Sequence, residues 1–499
     1  MSAEDLTTAD AMGTDDAVGL AARVAAGEVT PAELLEAAIA RAEALNPTLN
    51  AIVVPMYDEA RRRLAEGLPD GGPLRGVPFL LKDIGANYGG FPTSAGSRLF
   101  RNQVRPFDSE LVRRLKAAGL VIFGKTNTPE FGSLPTTEPL LFGPTRNPWS
   151  PEHSPGGSSG GAAAAVAAGI VPAAQGGDGA GSIRIPASCC GLVGLKCTRA
   201  RITLGPEVGE GTGGITTPGF VTRTVRDTAA LLDATAGPMP GDPYVAPPPA
   251  RPYREEAATP PGRLRIALTD RSLIGTALHP DCAAAAVDAA ELCVELGHEV
   301  IEDAPPLDGG TYYTLYRRFW LLAAGRFVHR VERARGVPGA AEEVEPFNRY
   351  CYEEGLKVPA HEYLTDLEWF QAMTRSFATW MVQGGYDVWL TPTLGAPPPP
   401  LGHFDARRWG GATVLERFIE FLPFTPLCNL TGQPAISLPL SWNGDGLPVG
   451  THFIGRYGDE AVLLRLAAQL ERARPWPQPP RPLPAAGVGG RGGGSGTGS

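Results

Sequence analysis

SPGGSSGGAAAAVAAGIVPAAQGGDGAGSIRIPASCCGLVGLKCT, residues 154–198, is a long run dense in glycine, alanine and small polar residues. It reads as two glycine-bracketed loops around a short Ala-rich helix. Each loop carries a serine, Ser158 in the first and Ser182 in the second, 24 residues apart. Glycines admit backbone conformations closed to other residues and let successive N–H groups point into one concavity, which suits an anion or an oxyanion. One such loop is usually only a pair of tight turns, but two flanking a single helix argue for chemistry. Gly156-Gly157-Ser158-Ser159-Gly160 matches the G-x-S-x-G nucleophile elbow by letter, yet an elbow follows a strand. His153-Ser154-Pro155 is turn-like instead. No G-K-[ST] follows the glycines, so a phosphate loop fails. Gly209, Gly211 and Gly214 fit the dinucleotide fingerprint without the strand that should precede it.

Outward from this stretch the chain alternates helix and strand patterns. Thr30 caps a helix with Pro31 at its first position and Glu33 closing a capping box, and Asn46-Pro47 is expected to end it. Apolar runs at Ala51–Val54, Val77–Leu81 and Leu120–Phe123, with a helical pattern from Ser109 to Ala118, give the βαβ rhythm of a buried sheet. The proline-rich stretch from Pro238 to Pro261 reads as a linker. Beyond it lie a strand at Leu264–Leu268, an Ala-rich helix at Asp281–Leu296 and an aromatic helix at about 311–335. Strand character returns at Val388–Thr391, Ala435–Leu440 and Thr451–Ile454, before a last helix from Glu460 to Ala473. The expected organisation is a helical region over 1–70, a core over 71–240, a helical insertion over 241–385, a return to the sheet over 386–475, and a disordered Pro/Gly-rich tail over 476–499.

Composition narrows the function classes. The chain has 499 residues, 43% hydrophobic and 19% charged, with a formal net charge of −9, which fits a folded globular protein without the basic surface that nucleic acid demands. The most apolar stretch, Ala162 to Ala174, is shorter than the roughly 18 residues of a membrane span. The acidic start, Met1 to Asp16, lacks the basic character of a leader, so a cytoplasmic protein is expected. Seven cysteines without a C-x-x-C pair suggest buried thiols and neither a disulfide framework nor a metal cluster.

The two serine loops and their flanks resemble the amidase signature family. The resemblance rests on Gly156–Gly161, on Gly181-Ser182-Ile183-Arg184-Ile185-Pro186-Ala187 and on Gly191-Leu192-Val193-Gly194-Leu195-Lys196. It extends to Gly76–Asp83, Gly124–Gly132, Thr145–Trp149, Gly432–Ser437 and Leu447–Gly450, and so covers about residues 15–240 and 385–475. It implies an α/β fold, one large α/β/α domain with a mixed, twisted central sheet covered by helices. By the same resemblance Ser182 is the nucleophile, Ser158 a bridging serine on a cis peptide after Gly157, and Lys82 the general base. Backbone N–H groups of Gly179, Ala180, Gly181 and Ser182 form the oxyanion hole, Gly132 and Ser133 border the substrate's acyl part, and neither metal nor cofactor is needed.

Physical chemistry sets the condition for those roles. A serine hydroxyl needs a base, and lysine serves only when burial pulls its pKa from about 10.4 towards about 7–8. Lys82 ends the apolar run Val77–Leu81, although Asp83 would hold the charge if it pointed the same way. Asp178 and Arg184 are expected to brace the second loop as an ion pair. The sequence departs from the family pattern in having Gly177, Ala180 and Cys197 where threonine, glycine and proline are usual. Cys197 reads as a packed thiol and His153 as a turn residue. Aromatics at Thr311–Trp320, Tyr350–Tyr352 and Trp369–Phe370 either line a pocket or pack a core.

The expected function is a serine amidohydrolase of small apolar or aromatic amides, nylon-type oligomers or carbamates, in look closest to bacterial 6-aminohexanoate-oligomer and urethane hydrolases. Its expected partner is that small-molecule substrate, without nucleic acid or membrane, in a monomer or homodimer. The alternatives are the glutaminase subunit of a tRNA-dependent amidotransferase complex, an esterase-type α/β-hydrolase and a non-catalytic binding protein.

Overall fold

The structure, a computed structural model, describes residues 10–477. The first nine residues and most of the Pro/Gly-rich tail lie outside the described residues. Trp476, at the start of that tail, donates its indole N–H to Arg223 O at 2.9 Å.

Eleven strands form one mixed sheet. In chain order they are β1 Ile52–Pro55, β2 Pro78–Lys82, β3 Val121–Thr126, β4 Ala173–Asp178, β5 Val193–Lys196, β6 Thr217–Thr222, β7 Arg265–Leu268, β8 Glu299–Glu302, β9 Val388–Pro392, β10 Ala435–Trp442 and β11 Pro448–Gly455. Across the sheet they run β1-β3-β2-β4-β6-β5-β10-β11-β9-β7-β8. The pairs β3-β2-β4 and β9-β7-β8 are parallel and the remaining pairs antiparallel. Helices cover this sheet, giving the α/β fold read from the sequence. The segment 241–385, expected as a helical insertion, also contributes β7 and β8 to the same sheet. β8 has no matching sequence signal because only four residues, Glu-Val-Ile-Glu, form it, at the sheet edge.

Local chemistry explains the helix ends. Thr30 Oγ1 accepts the Glu33 N–H at 3.2 Å while the Glu33 carboxylate accepts the Thr30 N–H at 2.8 Å, the reciprocal capping box. The helix does not stop at Asn46-Pro47 but runs on to Leu49, with Asn50 in the left-handed conformation. Pro47 lacks the N–H that would bond back to the preceding turn, a loss confined to the last turn because the helix ends two residues later. Asn46 then fixes the exit into β1, accepting from the N–H groups of Ala51 and Ile52 and donating to Ile52 O.

The Ala-rich helix Gly160–Ala167 is buried along its whole length. Its glycines permit close approach to neighbouring chain, since a Cβ on Gly161 would stand 2.5 Å from Asn127 N and one on Gly160 2.3 Å from Thr137 Oγ1. The aromatic helix Gly309–Arg335 mostly packs a second core, where Tyr312, Tyr316 and Phe319 stack in succession. All seven cysteines are free and buried. Among the described residues no helix is long and apolar enough to cross a membrane.

Candidate active site

Parallel neighbours β2 and β4 deliver Lys82 and Asp178 to the same edge of the sheet, the carboxyl ends where α/β folds place their ligand crevices. Lys82 is 2% exposed. Its Nζ lies 2.6 Å from Ser158 Oγ, 3.0 Å from Ser159 Oγ and 3.5 Å from Gly177 O. Burial pushes the Lys82 ammonium down to about 7, with the Asp178 charge only partly opposing. Asp83 does not rescue the charge. Its carboxylate is turned to Ser94, accepting the Ser94 N–H and hydroxyl, and the cation it faces is Lys125. The alternation of side chains along an extended segment separates these two neighbours.

Ser158 precedes the buried helix, and the peptide bond joining it to Gly157 is cis. Room for its hydroxyl comes from Gly132. A Cβ there would sit 3.1 Å from Ser158 Oγ, and the φ of +67° is one that glycine adopts without strain. Ser133 stands beside it and accepts the Trp320 indole N–H on its carbonyl at 3.3 Å. Ser159, not singled out from the sequence, bonds Lys82 through its hydroxyl and donates its N–H to Ser182 O at 3.2 Å, joining the two serine loops.

The second loop is built around a carboxylate. Asp178 Oδ1 accepts the Gly181 N–H at 2.7 Å and Oδ2 accepts the Ile183 N–H at 3.3 Å, while Arg184 binds both oxygens at 3.0 and 2.9 Å. Both members of this ion pair are fully buried. Arg184 also donates to Thr425 O and Asn429 Oδ1, and Asn429 Nδ2 donates to Asp178. Burial opposes the Asp178 charge, but Arg184 outweighs it and holds the carboxyl below its usual range.

This bracing corrects one sequence expectation. The Gly181 N–H, expected in the oxyanion hole, is donated here to Asp178 Oδ1. Among the described residues, the N–H groups of Gly179, Ala180 and Ser182 have no hydrogen-bond acceptor. Gly181 is needed for space and conformation, with φ +120° and a would-be Cβ 2.5 Å from Thr425 Oγ1. The Ala180 methyl packs in the second core.

Lys82, Ser158, Ser182, Gly132, Ser133 and Gly179 all face one cavity of about 760 Å³. Ser182 is 7% exposed, and its hydroxyl makes no hydrogen bond to another described residue. The walls are largely apolar, including Phe100, Phe131, Ile215, Trp320 and Phe327.

The amidase family profile matches residues 33–464. The chain belongs to the amidase family. Over 472 residues, 92% of this chain and 95% of the other, it is 39% identical to 6-aminohexanoate-cyclic-dimer hydrolase of Paenarthrobacter ureafaciens. The solved structure of a 6-aminohexanoate cyclic dimer hydrolase complexed with substrate superposes with a TM-score of 0.86 at 37% identity, covering 93% of this chain and 98% of that one. A bacterial aryl acylamidase of the amidase signature family superposes with a TM-score of 0.81 at 26% identity, covering 93% and 96%. This amidase is therefore a hydrolase of amide bonds.

Within the amidase scaffold, the remaining departures have plain structural roles. Cys197 is buried against Pro218 O, and burial raises its thiol to about 12, as a packed side chain should be. His153 bonds Ser150 and does not line the cavity. Of the aromatics singled out in the sequence, only Trp320 reaches the cavity. Phe131 and Phe327, stacked at 4.8 Å, do reach it and carried no periodic signal that would have separated them from core residues.

Proposed function

We propose that the amidase works through an acyl-enzyme, with Ser182 as nucleophile, Ser158 as proton relay and Lys82 as general base. The observation that carries this reading is the 2.6 Å contact of a desolvated Lys82 amine with Ser158 Oγ. A neutral amine has two N–H donors and one lone pair. Ser159 Oγ and Gly177 O are placed to accept the two donors, which leaves the lone pair for the Ser158 hydroxyl proton. Ser158 in turn takes the Ser182 proton as Ser182 Oγ bonds to the substrate carbonyl carbon. The resulting oxyanion is received by the free N–H groups of Gly179, Ala180 and Ser182, a kind of contact worth about 3–4 kcal/mol per donor in hydrolases. Collapse expels the amine, protonated from Lys82 through Ser158. Water then repeats the sequence on the acyl-enzyme and releases the acid.

The substrate class is short aliphatic amides, linear or cyclic, of the nylon-oligomer type. The largely apolar walls of the cavity and the names of the curated relatives support that choice. An aryl carbamate passes through the same tetrahedral anion and is a side substrate. The test is amine release from a panel holding the 6-aminohexanoate cyclic dimer, its linear dimer, an anilide and an aryl carbamate. Turnover of the aliphatic amides that disappears in Ser182→Ala is expected. An enzyme inert on all the amides, or a Ser182→Ala variant as active as wild type, would overturn the reading.

A further inference from the structure

One wall of the cavity is the C-terminal half of the helix Gly309–Arg335, and its charges are not balanced. Arg326 and Arg330 stand one turn apart on the face that lines the cavity. Arg326 Nη2 donates to Thr212 Oγ1 at 2.6 Å and Nη1 donates to Ala323 O. Neither arginine meets a carboxylate within ion-pair distance among the described residues, whereas two other arginines of the lining do. Arg105 pairs with Glu207 and Arg335 with Glu343, while Glu210, also on the lining, makes no ion pair among the described residues and is felt electrostatically by Arg199. Burial, with the like charge of Arg330 adding, pushes Arg326 down to about 10. It stays cationic at neutral pH and has no anion.

Its position ties it to the reacting end. Thr212, which Arg326 holds, accepts from Thr216 Oγ1 at 3.2 Å, and Thr216 borders Gly179 of the oxyanion turn, where a Cβ would lie 3.4 Å away. Trp320, bonded to Ser133 O, is six residues earlier on the same helix, about 9 Å along its axis. The guanidinium is thus in the same cavity as Ser182 and connected to the Gly179 turn through Thr212 and Thr216, with the Phe327 ring 4.1 Å from it.

We propose that Arg326, with Arg330 beside it, is a carboxylate-binding subsite that selects linear amides carrying a terminal carboxylate at the far end of an aliphatic spacer. The inference rests on Ser182 as the point of attack. A guanidinium offers paired N–H donors to a carboxylate, and a substrate carboxylate would supply the anion the wall lacks. A cyclic amide has no such group, so the enzyme distinguishes the ring from the open chain.

Two matched pairs of six-carbon probes test it. Adipic acid mono-p-nitroanilide and its methyl ester place the carboxylate on the acyl side. N-hexanoyl-6-aminohexanoate and its carboxamide place it on the amine side. Wild type should prefer the carboxylate in at least one pair by about tenfold in kcat/KM, the scale of one charge-assisted contact. Arg326→Gln should erase that preference, mainly through KM, and Arg326→Lys should retain part of it. An absent preference, or one that survives in Arg326→Gln, overturns the subsite. The wild-type comparison stands even if a variant does not fold. Wild type inert on both members of both pairs, with no covalent adduct at Ser182, would instead overturn the hydrolase mechanism beneath it.

Discussion

The pH dependence of kcat/KM is the sharpest consequence of a buried lysine at the end of β2. Burial holds Lys82 at about 7, so roughly one-tenth of the enzyme has a neutral amine at pH 6 and roughly nine-tenths at pH 8. The active form is the deprotonated one, and activity therefore rises with pH. kcat/KM, which reports the free enzyme, should climb about ninefold between those values and level off above. Steady-state rates on a neutral anilide, whose own ionisation does not intrude, give the profile directly. Lys82→Ala should lose about 10² to 10⁴ in kcat/KM, the usual reach of general-base catalysis, and should lose the inflection near neutrality with it. A wild-type profile flat from pH 6 to 9, or an inflection that persists in Lys82→Ala, would refute the assignment of that titration to Lys82.

Other perturbations probe the parts around the lysine. Ser158→Ala removes the relay and should cost about 10² to 10⁴ in kcat; rates within a few-fold of wild type would show that the proton takes another path. Gly132→Ala places a methyl 3.1 Å from Ser158 Oγ at a φ of +67°, and should lower kcat with the circular dichroism spectrum unchanged. Undiminished turnover would mean the hydroxyl has room it is not shown to have. Asp178→Asn strands the buried Arg184 charge and should destabilise the fold by about 3–5 kcal/mol, read from urea unfolding. A variant as stable as wild type would mean that Arg184 finds its counter-charge elsewhere.

What the sequence made legible follows from how strongly each residue is constrained. The two serine loops stand out because close backbone approaches at Gly160, Gly161 and Gly181 admit no side chain, so small residues crowd there visibly. The capping box at Thr30 and the last helix, Glu460–Ala473, are local patterns and are where they were expected. Lys82 could be placed at a strand end, but the direction of its side chain relative to Asp83 is settled only by the folded sheet. Long-range bonding was the hidden part. That Asp178 takes the Gly181 N–H is not written in the spacing of the loop, and neither is the bond from Ser159 to Lys82. The helix runs two residues past Pro47, and the exit that follows is anchored by Asn46 side-chain bonds to Ala51 and Ile52 that a propensity argument does not see. Arg326 is indistinguishable in sequence from the other arginines of its helix, and becomes conspicuous only when it is found on the cavity wall without an ion pair.

The most direct test of the account is to trap the acyl-enzyme with a slowly deacylating p-nitrophenyl carbamate and map the adduct by mass spectrometry. The account predicts one acyl group per chain on the peptide holding Ser182, formed faster as pH rises through neutrality and absent from Ser182→Ala. An adduct on any other residue, or trapping undiminished in Ser182→Ala, would contradict it.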